Sequence, residues 1–457
     1  MSFEPTRFPE AVLGCPRCQR SLDASDAGFR CRACKVDYPA IGGVPWLFAV
    51  PPAALAEWRA RFARELQETD LAVGRAAAVV RDRPQLREST RKRLARTAAG
   101  HAARAKELRE LLAPLGRPAE EMPHEVLLAL RTRLPPSQGL TTYAQNAFRD
   151  WSWGDDENLE SASMVATHLP DDPETVLVLG AGAGRLAYDL HQLGLQAWTL
   201  GLDLNPLLTF VGDRVVRGET LTLHEFPLAP RRLEDIAVAR ELSAPEPVRE
   251  GLAFVLGDIL SPPLRDGSFD AIVAPWFVDI VDLDFAVLAR RLAALLKPGG
   301  QLVLFGSLTF SAAEPALRYS FEEVLELLGE AGFGTPATEE RNLPYLCSPS
   351  SRHGRRERVV CLGARKEKEL KGVPKSAALP DWLVAGRDPV PLSDAFQYQI
   401  AATRIHAFVM SLVDGKRSLR DMAQVLEQQG LMPRKDAEEA VRQFLITMWN
   451  EARQSDL

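Results

Sequence analysis

The 457-residue sequence has little that would place it in a membrane, in an oxidising compartment or along a nucleic acid. No apolar run reaches the ~18 residues that a membrane helix needs. Residues 1–10 show neither the basic start nor the apolar core of a secretory leader. Six cysteines are too few for a disulfide scaffold. Lysine and arginine total 55 against 61 aspartates and glutamates, which disfavours a general nucleic-acid binder but leaves a local basic patch open. We expect a soluble protein of the reducing cytoplasm.

The length and the composition predict a globular protein with more than one domain. At roughly 100–200 residues per domain, 457 residues predict two to four domains. Hydrophobic residues make up 46% and charged residues 25%, which excludes a mainly disordered or fibrous chain. The informative features are therefore local motifs, and the first is the uneven placement of the cysteines.

Four of the six cysteines lie close together, in two C-x-x-C pairs near the start of the chain. Two thiolates from each pair can converge on one tetrahedral Zn²⁺, and a closed four-sulfur site of this kind is structural. In so short a segment the metal would supply most of the folding free energy. A redox pair would instead follow a strand of a βαβ unit, which this segment lacks. The predicted zinc ligands are Cys15, Cys18, Cys31 and Cys34.

The sequence around these cysteines resembles the small zinc-ribbon proteins that partner methyltransferases of tRNA, ribosomal RNA and release factors. The resemblance covers about residues 10–48 and includes both C-x-x-C pairs, Asp37-Tyr38-Pro39 and the turn at Ile41–Pro45. It implies a module that accompanies methyl transfer. It does not imply contact between this module and nucleic acid.

A helical spacer follows the ribbon. Pro51-Pro52 ends the ribbon, and residues 53–115 are rich in alanine, arginine, glutamate and leucine, which predicts helix. A basic run within it is either a nucleic-acid or phosphate surface or a solvated helix face, and the second interpretation is favoured. The run consists of Arg81, Arg83, Arg87, Arg91, Lys92, Arg93 and Arg96.

A glycine-rich turn lies between a buried strand and an amphipathic helix in the central part of the chain. The apolar run Thr175–Leu179 predicts the strand, and residues 186–193 predict the helix. Between them stand Gly180, Gly182 and Gly184, which would let a ligand approach the backbone closely. This signal is weak alone, because dinucleotide-binding enzymes share it.

The segments that follow resemble class I S-adenosylmethionine (SAM) methyltransferases in their order and spacing. The matching features are a second strand ending in Asp203, a third strand followed by Gly257-Asp258-Ile259, the strand Ser268–Ala274, and a helix that ends in Lys297-Pro-Gly-Gly300. The resemblance implies that Asp203 binds the ribose, that Asp258 and Ile259 lie at the adenine, and that the three glycines face the methionine moiety.

A narrower resemblance, to the carnosine N-methyltransferase-like family, spans about residues 141–367. It rests on Asn146–Ser152, on the glycine-rich turn, on residues 269–280 and on residues 358–365. It implies that Arg149 and Asn146 bind SAM, with the Arg149 guanidinium on the methionine carboxylate. A structural arginine is the alternative reading of Arg149. The family also inserts helices where this chain has residues 210–249.

The acceptor residues of that family carry over unevenly. The resemblance implies that Asp279 contacts the acceptor as an orienting group or base, with Asp282 as runner-up and Tyr345 as a lining residue. Ile280-Val281-Asp282, Ser311 and residues 352–357 all depart from the family pattern. We therefore expect a methyl acceptor other than carnosine. Three tryptophans could surround a cationic acceptor, although packing is the safer reading of each: Trp151, Trp153 and Trp276.

The last part of the chain predicts a small helical module. Residues 366–391 read as a linker, and three helices follow, the second capped by Ser418. The run Asp414–Leu426 resembles PqqD-like peptide-binding domains and the small regulatory domains attached to bacterial methyltransferases. That resemblance leaves peptide recognition and plain dimerisation or packing equally open.

Taken together, the sequence predicts a multidomain α/β protein with a Rossmann-like, seven-stranded class I methyltransferase core. The predicted domains are a zinc ribbon (1–50), a helical spacer (51–140), the methyltransferase core (141–367), a linker (368–391) and a small helical, winged-helix-like module (392–457).

The expected cofactors are SAM and a structural Zn²⁺. The leading hypothesis is N-methylation of a small molecule or peptide that carries an imidazole or amine, with a peptide or protein partner at the C-terminal module left open. The alternatives are an RNA or protein methyltransferase that docks through the ribbon and the basic helix, and a non-catalytic SAM-binding scaffold.

Overall fold

The computed structural model divides the chain into two compact units, Met1–Ala378 and Leu379–Leu457. The structure describes residues 3–9, 11–116, 139–193, 198–281, 283–310, 314–370 and 389–455. Asp282, Ser311, most of the predicted linker and the end of the predicted spacer therefore lie outside the described residues.

The N-terminal segment forms a small antiparallel sheet with the strand order β1-β2-β3-β4. These strands are Asp23–Ser25, Gly28–Cys31, Val36–Ile41 and Val44–Pro45. Gly28 has φ 139°, and a side chain there would collide with the backbone of the neighbouring strand at Tyr38, so glycine is required. One cysteine pair precedes β1, and the other lies at the end of β2 and in the turn that leads to β3.

The ribbon docks on an edge of the large central sheet through backbone hydrogen bonds. The Leu47 N–H donates to the carbonyl of Leu256 at 2.7 Å, and the Gly14 N–H donates to that of Pro263 at 2.9 Å. Trp46, between these contacts, is fully buried. Apolar side chains of the ribbon share one core with one face of the central sheet, so the two form a single unit.

Two long helices follow the ribbon, as the composition of the spacer predicts. They are α1, Pro51–Asp82, and α2, Glu88–Leu111, and they pack against each other as a hairpin. In the basic run, Lys92 pairs with Glu88 and Arg96 with Glu234. These ion pairs on exposed side chains agree with the solvated-face interpretation.

The central sheet has seven strands in the order β12-β13-β11-β10-β5-β6-β9. Five neighbours, from β11 to β9, are parallel, β13 runs antiparallel to β11, and β12 runs antiparallel to β13. The strands are β5 Thr175–Leu179, β6 Trp198–Asp203, β9 Leu252–Leu256, β10 Phe269–Pro275, β11 Leu296–Gly306, β12 Ala337–Tyr345 and β13 Arg355–Arg365. The apolar runs of the five parallel strands are buried, as parallel strands covered on both faces require, whereas the edge strand β12 is mostly exposed.

Helices connect these strands across the sheet. They are α3 Ala144–Phe148, α4 Asp155–Ala166, α5 Arg185–Gln192, α6 Pro206–Val216, α7 Phe285–Leu295 and α8 Phe321–Glu330. A π-helical turn, Arg149–Trp153, joins α3 to the segment that enters α4. Turns of this type are frequent at functional sites.

The inserted segment between α6 and β9 corrects one expectation. The resemblance to the carnosine family predicts helices there, but the segment forms an antiparallel hairpin of β7, Leu221–Glu225, and β8, Val238–Leu242. Leu221 lies opposite Leu242, and both are buried. Apolar and polar residues alternate in β7, which is the period of a half-buried strand and not of a helix.

The second unit consists of three helices among its described residues. They are α9 Asp394–Ser411, α10 Leu419–Gln428 and α11 Arg434–Ser455. Ser418 caps α10 by a reciprocal pair of hydrogen bonds with Asp421, as its position predicts. Residues 389–455 contain no strand, so the wing of the predicted module has no counterpart there. Across the described ranges, no helix is both long and apolar enough to span a bilayer.

Candidate functional site

The candidate site lies at the carboxyl edge of the central sheet. Strands β5, β6, β9, β10 and β11 are parallel, so their C-terminal ends meet at this edge. The chain order reverses beside β5, whose neighbours are β6 and β10. In open α/β sheets a crevice forms at such a switch point, and ligands bind there.

The three glycines of the turn after β5 all have positive φ, but they face different surroundings. A Cβ on Gly180 would lie 2.8 Å from the Phe277 ring, and one on Gly184 would lie 2.5 Å from the Phe254 ring. A Cβ on Gly182 would meet no atom closer than 4.0 Å. Gly180 and Gly184 therefore permit packing of the turn, whereas Gly182 faces open space at the crevice.

Asp203, at the end of β6, holds this turn in place. One carboxylate oxygen accepts the N–H of Gly182 at 2.8 Å, and the other accepts the N–H of Asn205 at 2.7 Å. Burial raises the pKa of Asp203, and these N–H groups oppose that rise. Each carboxylate oxygen can accept a second hydrogen bond, so the group can also receive hydroxyls of a ligand.

Asp258 and Ile259 follow β9 at the same edge. An Asp258 oxygen accepts the N–H of Leu260 at 2.9 Å, and burial raises the pKa of the Asp258 carboxyl. Ile259 is buried in the core that the sheet shares with the ribbon. The structure therefore shows the turn-capping role of Asp258, and a contact with adenine stays a prediction.

The segment Arg149–Trp153 contacts the glycine-rich turn directly. The Trp151 indole donates to the Ala183 carbonyl at 2.8 Å, and Arg185 donates to the Asp150 carbonyl at 2.5 Å. Trp151 is buried and packs on Tyr188 with the ring centroids 5.4 Å apart, so its role is packing. The Arg-Asp-Trp-Ser motif thus lies beside the turn, as its resemblance implies.

Arg149 already has two acidic partners. Its guanidinium lies 2.7 Å from Asp150 and 3.3 Å from Glu157. Burial opposes the charge of Arg149, but the charges of Asp150 and Glu157 hold its pKa above the ordinary value. A structural ion pair is therefore present, and contact of Arg149 with a ligand carboxylate stays a prediction. Asn146, on α3, is half-buried.

Asp279 lies after β10 with one oxygen unsatisfied. Its Oδ1 is buried, and no hydrogen-bond partner is found for it among the described residues. Burial raises the pKa of the carboxyl, and the charge of Glu357 raises it further. Burial raises the pKa of Tyr143, and the charge of Asp279 raises it further. Sequence patterns gave no signal for Tyr143.

Aromatic and cationic side chains surround Tyr345, at the end of β12. The Trp276 ring lies 4.7 Å from the Tyr345 ring, centroid to centroid, and the Arg355 guanidinium carbon lies 4.4 Å from it. Tyr345 therefore does line this edge. Burial raises its pKa, which Arg149 and Arg355 oppose.

Three residues other than glycine adopt a left-handed backbone conformation at this edge. Trp276, Leu308 and Leu346 have φ 49°, 48° and 51° and follow β10, β11 and β12 respectively. Such conformations cost free energy and cluster at functional sites. Local sequence preferences do not predict them, because tertiary contacts impose them.

Two hairpins are joined by hydrogen bonds near the carboxyl edge. Pairing of β12 with β13 continues for five residue pairs beyond Gly306, the last residue of β11, from Arg341–Val359 to Tyr345–Arg355. The tip of this hairpin bonds to the loop of the β7–β8 hairpin: the Arg352 N–H donates to Ala229 at 2.9 Å, and the Arg231 N–H donates to Ser350 at 3.0 Å. The β12–β13 hairpin therefore extends past the end of β11 and is tied there to the inserted hairpin.

The four predicted metal ligands converge. Their sulfur atoms all lie within 4.8 Å of one another. The distance is 3.9 Å from Cys15 to Cys34 and 3.6 Å from Cys18 to Cys31. Tetrahedral Zn²⁺ with bonds of ~2.3 Å sets sulfur atoms about 3.8 Å apart. The cluster therefore fits a zinc ion, and all four thiols are free of disulfides.

Comparison with known proteins finds one family model that is similar to part of the chain. The family model described as "Methyltransferase domain" matches residues 232–304, which include β9, β10 and α7. No curated protein matches the chain.

Several solved structures are similar to about half of the chain. YcgJ from Bacillus subtilis is 16% identical over 47% of this chain and 100% of its own, with a TM-score of 0.32. The 1,6-didemethyltoxoflavin-N1-methyltransferase of Burkholderia thailandensis, solved with S-adenosylhomocysteine, is 19% identical over 54% and 92%, with a TM-score of 0.32. A complex of the Trm112 methyltransferase activator of Haloferax volcanii with a methyltransferase is 18% identical over 49% and 95%, with a TM-score of 0.34. TM-scores this low do not establish a shared function.

The raised pKa of Asp279 predicts a pH-dependent penalty on folding. The folded state holds this proton more tightly than the unfolded state, so stability falls as pH rises through the interval above the ordinary value of 3.8. Asp279→Asn, which mimics the protonated form, should therefore raise the free energy of unfolding at pH 7. The gain should vanish below the ordinary pKa, as urea titrations at both pH values would reveal.

Asp270 provides a control, because its pKa is shifted in the opposite direction from that of Asp279. Burial raises its pKa, but Lys297 and Thr175 together lower it below the ordinary value of 3.8. Its stabilising contribution is present above 3.8 and is lost as pH falls through the folded pKa. Asp270→Asn should cost about 1–2 kcal/mol at pH 7. Equal effects of the two substitutions at pH 7 would contradict the assignment of Asp279 as an unsatisfied group.

Proposed function

We propose that the protein is a SAM-dependent methyltransferase whose cofactor binds at the carboxyl edge of the central sheet. The observation that carries this proposal is the open space at Gly182, whose N–H is hydrogen-bonded to the carboxylate of Asp203. The cofactor supplies a methyl group on a sulfonium. The glycine-rich turn would face its methionine part, Asp203 its ribose, and Asp258 and Ile259 its adenine.

The residues around Asp279 support an acceptor that donates an N–H group. The unsatisfied Oδ1 of Asp279 can accept that hydrogen and orient the nitrogen toward the methyl group. Transfer requires the nitrogen lone pair ~3 Å from the methyl carbon and opposite the sulfur. A neutral nitrogen needs no strong base, because its proton can leave after alkylation. Asp279 therefore acts as the orienting group or the final proton acceptor.

The acceptor that we propose is a small molecule or peptide with an imidazole or amine, other than carnosine. Tyr345 and Trp276 provide an aromatic wall beside Asp279. Residues 352–357, where this chain departs from the carnosine family, begin at the tip of the β12–β13 hairpin that follows Tyr345. The rival scaffold role is less well supported, because a pocket without an acceptor would not need an unsatisfied Asp279.

An RNA or protein acceptor docked through the ribbon is also less well supported. The ribbon uses Gly14, Trp46 and Leu47 to pair with and cover the edge of the central sheet. These contacts direct one side of the ribbon toward its own chain. A peptide or protein partner at the C-terminal module stays a proposal based on the resemblance alone.

Calorimetry tests the cofactor site with two matched glycine substitutions. Gly182→Ala and Gly267→Ala place a Cβ on left-handed backbone, and neither Cβ meets an atom closer than 4.0 Å. The cost in folding free energy, about 1 kcal/mol, should therefore be the same for both variants. Only Gly182→Ala should weaken SAM binding, by at least about tenfold, because only it blocks the crevice. Wild-type protein that binds no SAM, or equal binding by both variants, would remove this site.

Metal analysis tests the zinc site. The purified protein should hold one zinc per chain, and Cys31→Ser should lose the metal together with several kcal/mol of folding free energy. Cys347→Ser is the matched control, because Cys347 is exposed and lies outside the cluster. A folded, metal-free wild-type protein would contradict the ribbon as a zinc site.

An untargeted comparison of methylated metabolites and peptides tests the acceptor. Cells that contain the protein should accumulate an N-methylated product that is missing from cells with Asp279→Asn. The variant should retain SAM affinity within about twofold, because the substitution leaves the cofactor contacts intact, while turnover falls at least about a hundredfold. Full turnover by the variant would show that Asp279 has no part in the reaction, and an O-methylated product would overturn the N-methylation proposal.

A further inference from the structure

A short segment, Leu140–Tyr143, connects the helical spacer to the carboxyl edge of the sheet. Leu140 is buried, and Thr141 and Tyr143 are half-buried. The segment immediately precedes α3 and the Arg149–Trp153 turn. It has polar links on both sides, one toward the candidate cofactor site and one toward the α1–α2 hairpin.

The link toward the cofactor site passes through Asn205. The Asn205 side-chain amide donates to the Leu140 carbonyl at 3.1 Å, and the Asn205 backbone N–H donates to Asp203 at 2.7 Å. Asp203 in turn accepts the Gly182 N–H at 2.8 Å. Three consecutive hydrogen bonds therefore join the segment to the glycine-rich turn.

The link toward the spacer passes through Glu65 of α1. The Thr141 hydroxyl donates to the Glu65 carboxylate at 2.9 Å. The other oxygen of Glu65 lies 3.9 Å from the Arg104 guanidinium of α2, and both side chains are about one-fifth exposed. Arg104 also lies over the Phe226 ring, 5.6 Å from its centroid. The carboxylate that holds Thr141 is thus itself held by the second helix of the hairpin.

Tyr143 lies in the stretch of backbone that runs along the carboxyl edge. Before it, Leu140 accepts a hydrogen bond from Asn205, which is itself bonded to Asp203. After it, the Arg149–Trp153 turn bonds to Ala183 of the glycine-rich turn. Tyr143 packs against the core between these two anchored points. Burial raises the pKa of Tyr143, and the charge of Asp279 raises it further, which agrees with this position.

Packing and hydrogen bonds both hold this segment. Leu140 is buried in the core, and Tyr143 packs against the same core. A cleft lined by Leu108, Phe148 and Leu208 among others lies beside α3, the helix that follows Tyr143. The hydrogen bonds at Leu140 and Thr141 hold the backbone two and three residues before Tyr143, so they help to set its position.

We propose that the α1–α2 hairpin contributes to the cofactor site. Glu65 accepts a hydrogen bond from Thr141. This contact holds Tyr143 over the crevice, where its side chain would cover bound SAM. Tyr143 would contact the cofactor, and Glu65 and Thr141 are positioning residues. The inference rests on the proposed SAM site. It assigns to the helical spacer a role that its composition and its basic run did not indicate.

Titration calorimetry with SAM on the full-length, zinc-loaded protein tests the proposal. Thr141→Val removes the hydroxyl and keeps the shape of the side chain, and it should raise the Kd for SAM about three- to tenfold. Tyr143→Ala should raise it at least as much. In the Tyr143→Ala background, Thr141→Val should add nothing, because the side chain that it positions is gone. The melting temperature without SAM should stay within about 2 °C of wild type in each case, since both side chains are only half-buried.

Two controls separate positioning from general destabilisation. Thr97→Val removes a hydroxyl on α2 that donates only to the Arg93 carbonyl, and it should leave the Kd unchanged. Glu65→Gln keeps an oxygen that can accept from Thr141, so it should retain most of the affinity, whereas Glu65→Leu should not.

The failures of the two proposals are distinguishable. If wild-type protein does not bind SAM, the proposed function is wrong. If wild type binds SAM and Thr141→Val binds it equally well, or if the effects of Thr141→Val and Tyr143→Ala are additive, the spacer has no part in the cofactor site.

Discussion

The carboxylate of Asp203 is the group on which the geometry of the site depends. Its two oxygens accept N–H groups from Gly182 and Asn205, so one buried side chain fixes both the glycine-rich turn and the start of α6. Burial penalises its charge, and backbone hydrogen bonds offset part of that penalty, so the pKa of Asp203 stays above its ordinary value. Asn205 extends the same network to Leu140. The turn, the helix and the covering segment therefore cannot move independently of this carboxylate.

The segments outside the central sheet contact either its carboxyl edge or its outer strand β9. The ribbon pairs with the end of β9 and buries Trp46 there, which protects an edge strand from unwanted pairing. The inserted hairpin and the extended β12–β13 hairpin bond to each other at their loops. The α1–α2 hairpin binds the segment before α3. The proposed methyl transfer would need water to be excluded, and these additions would contribute to that exclusion.

Local patterns predict the elements of the site well and their mutual contacts poorly. The strand before Gly180, the acid at Asp203 and the cysteine pairs each follow from a few adjacent residues, and the structure places all of them as expected. Glu65 and Tyr143 gave no signal, because their roles depend on contacts between residues far apart in the chain. The inserted segment was assigned to helices by resemblance, although the alternation in Leu221–Glu225 favoured a strand.

Several features at the carboxyl edge destabilise the protein when no ligand is bound. The Asp279 carboxylate is partly desolvated with one oxygen unsatisfied, and Trp276 and Leu346 adopt left-handed backbone. Each feature destabilises the fold, and the surrounding sheet must be stable enough to hold them. An acceptor N–H would provide the hydrogen bond that Asp279 lacks. Binding of the proposed acceptor would then relieve a penalty already present, so part of its affinity would come from the strain of the site and not from new contact area.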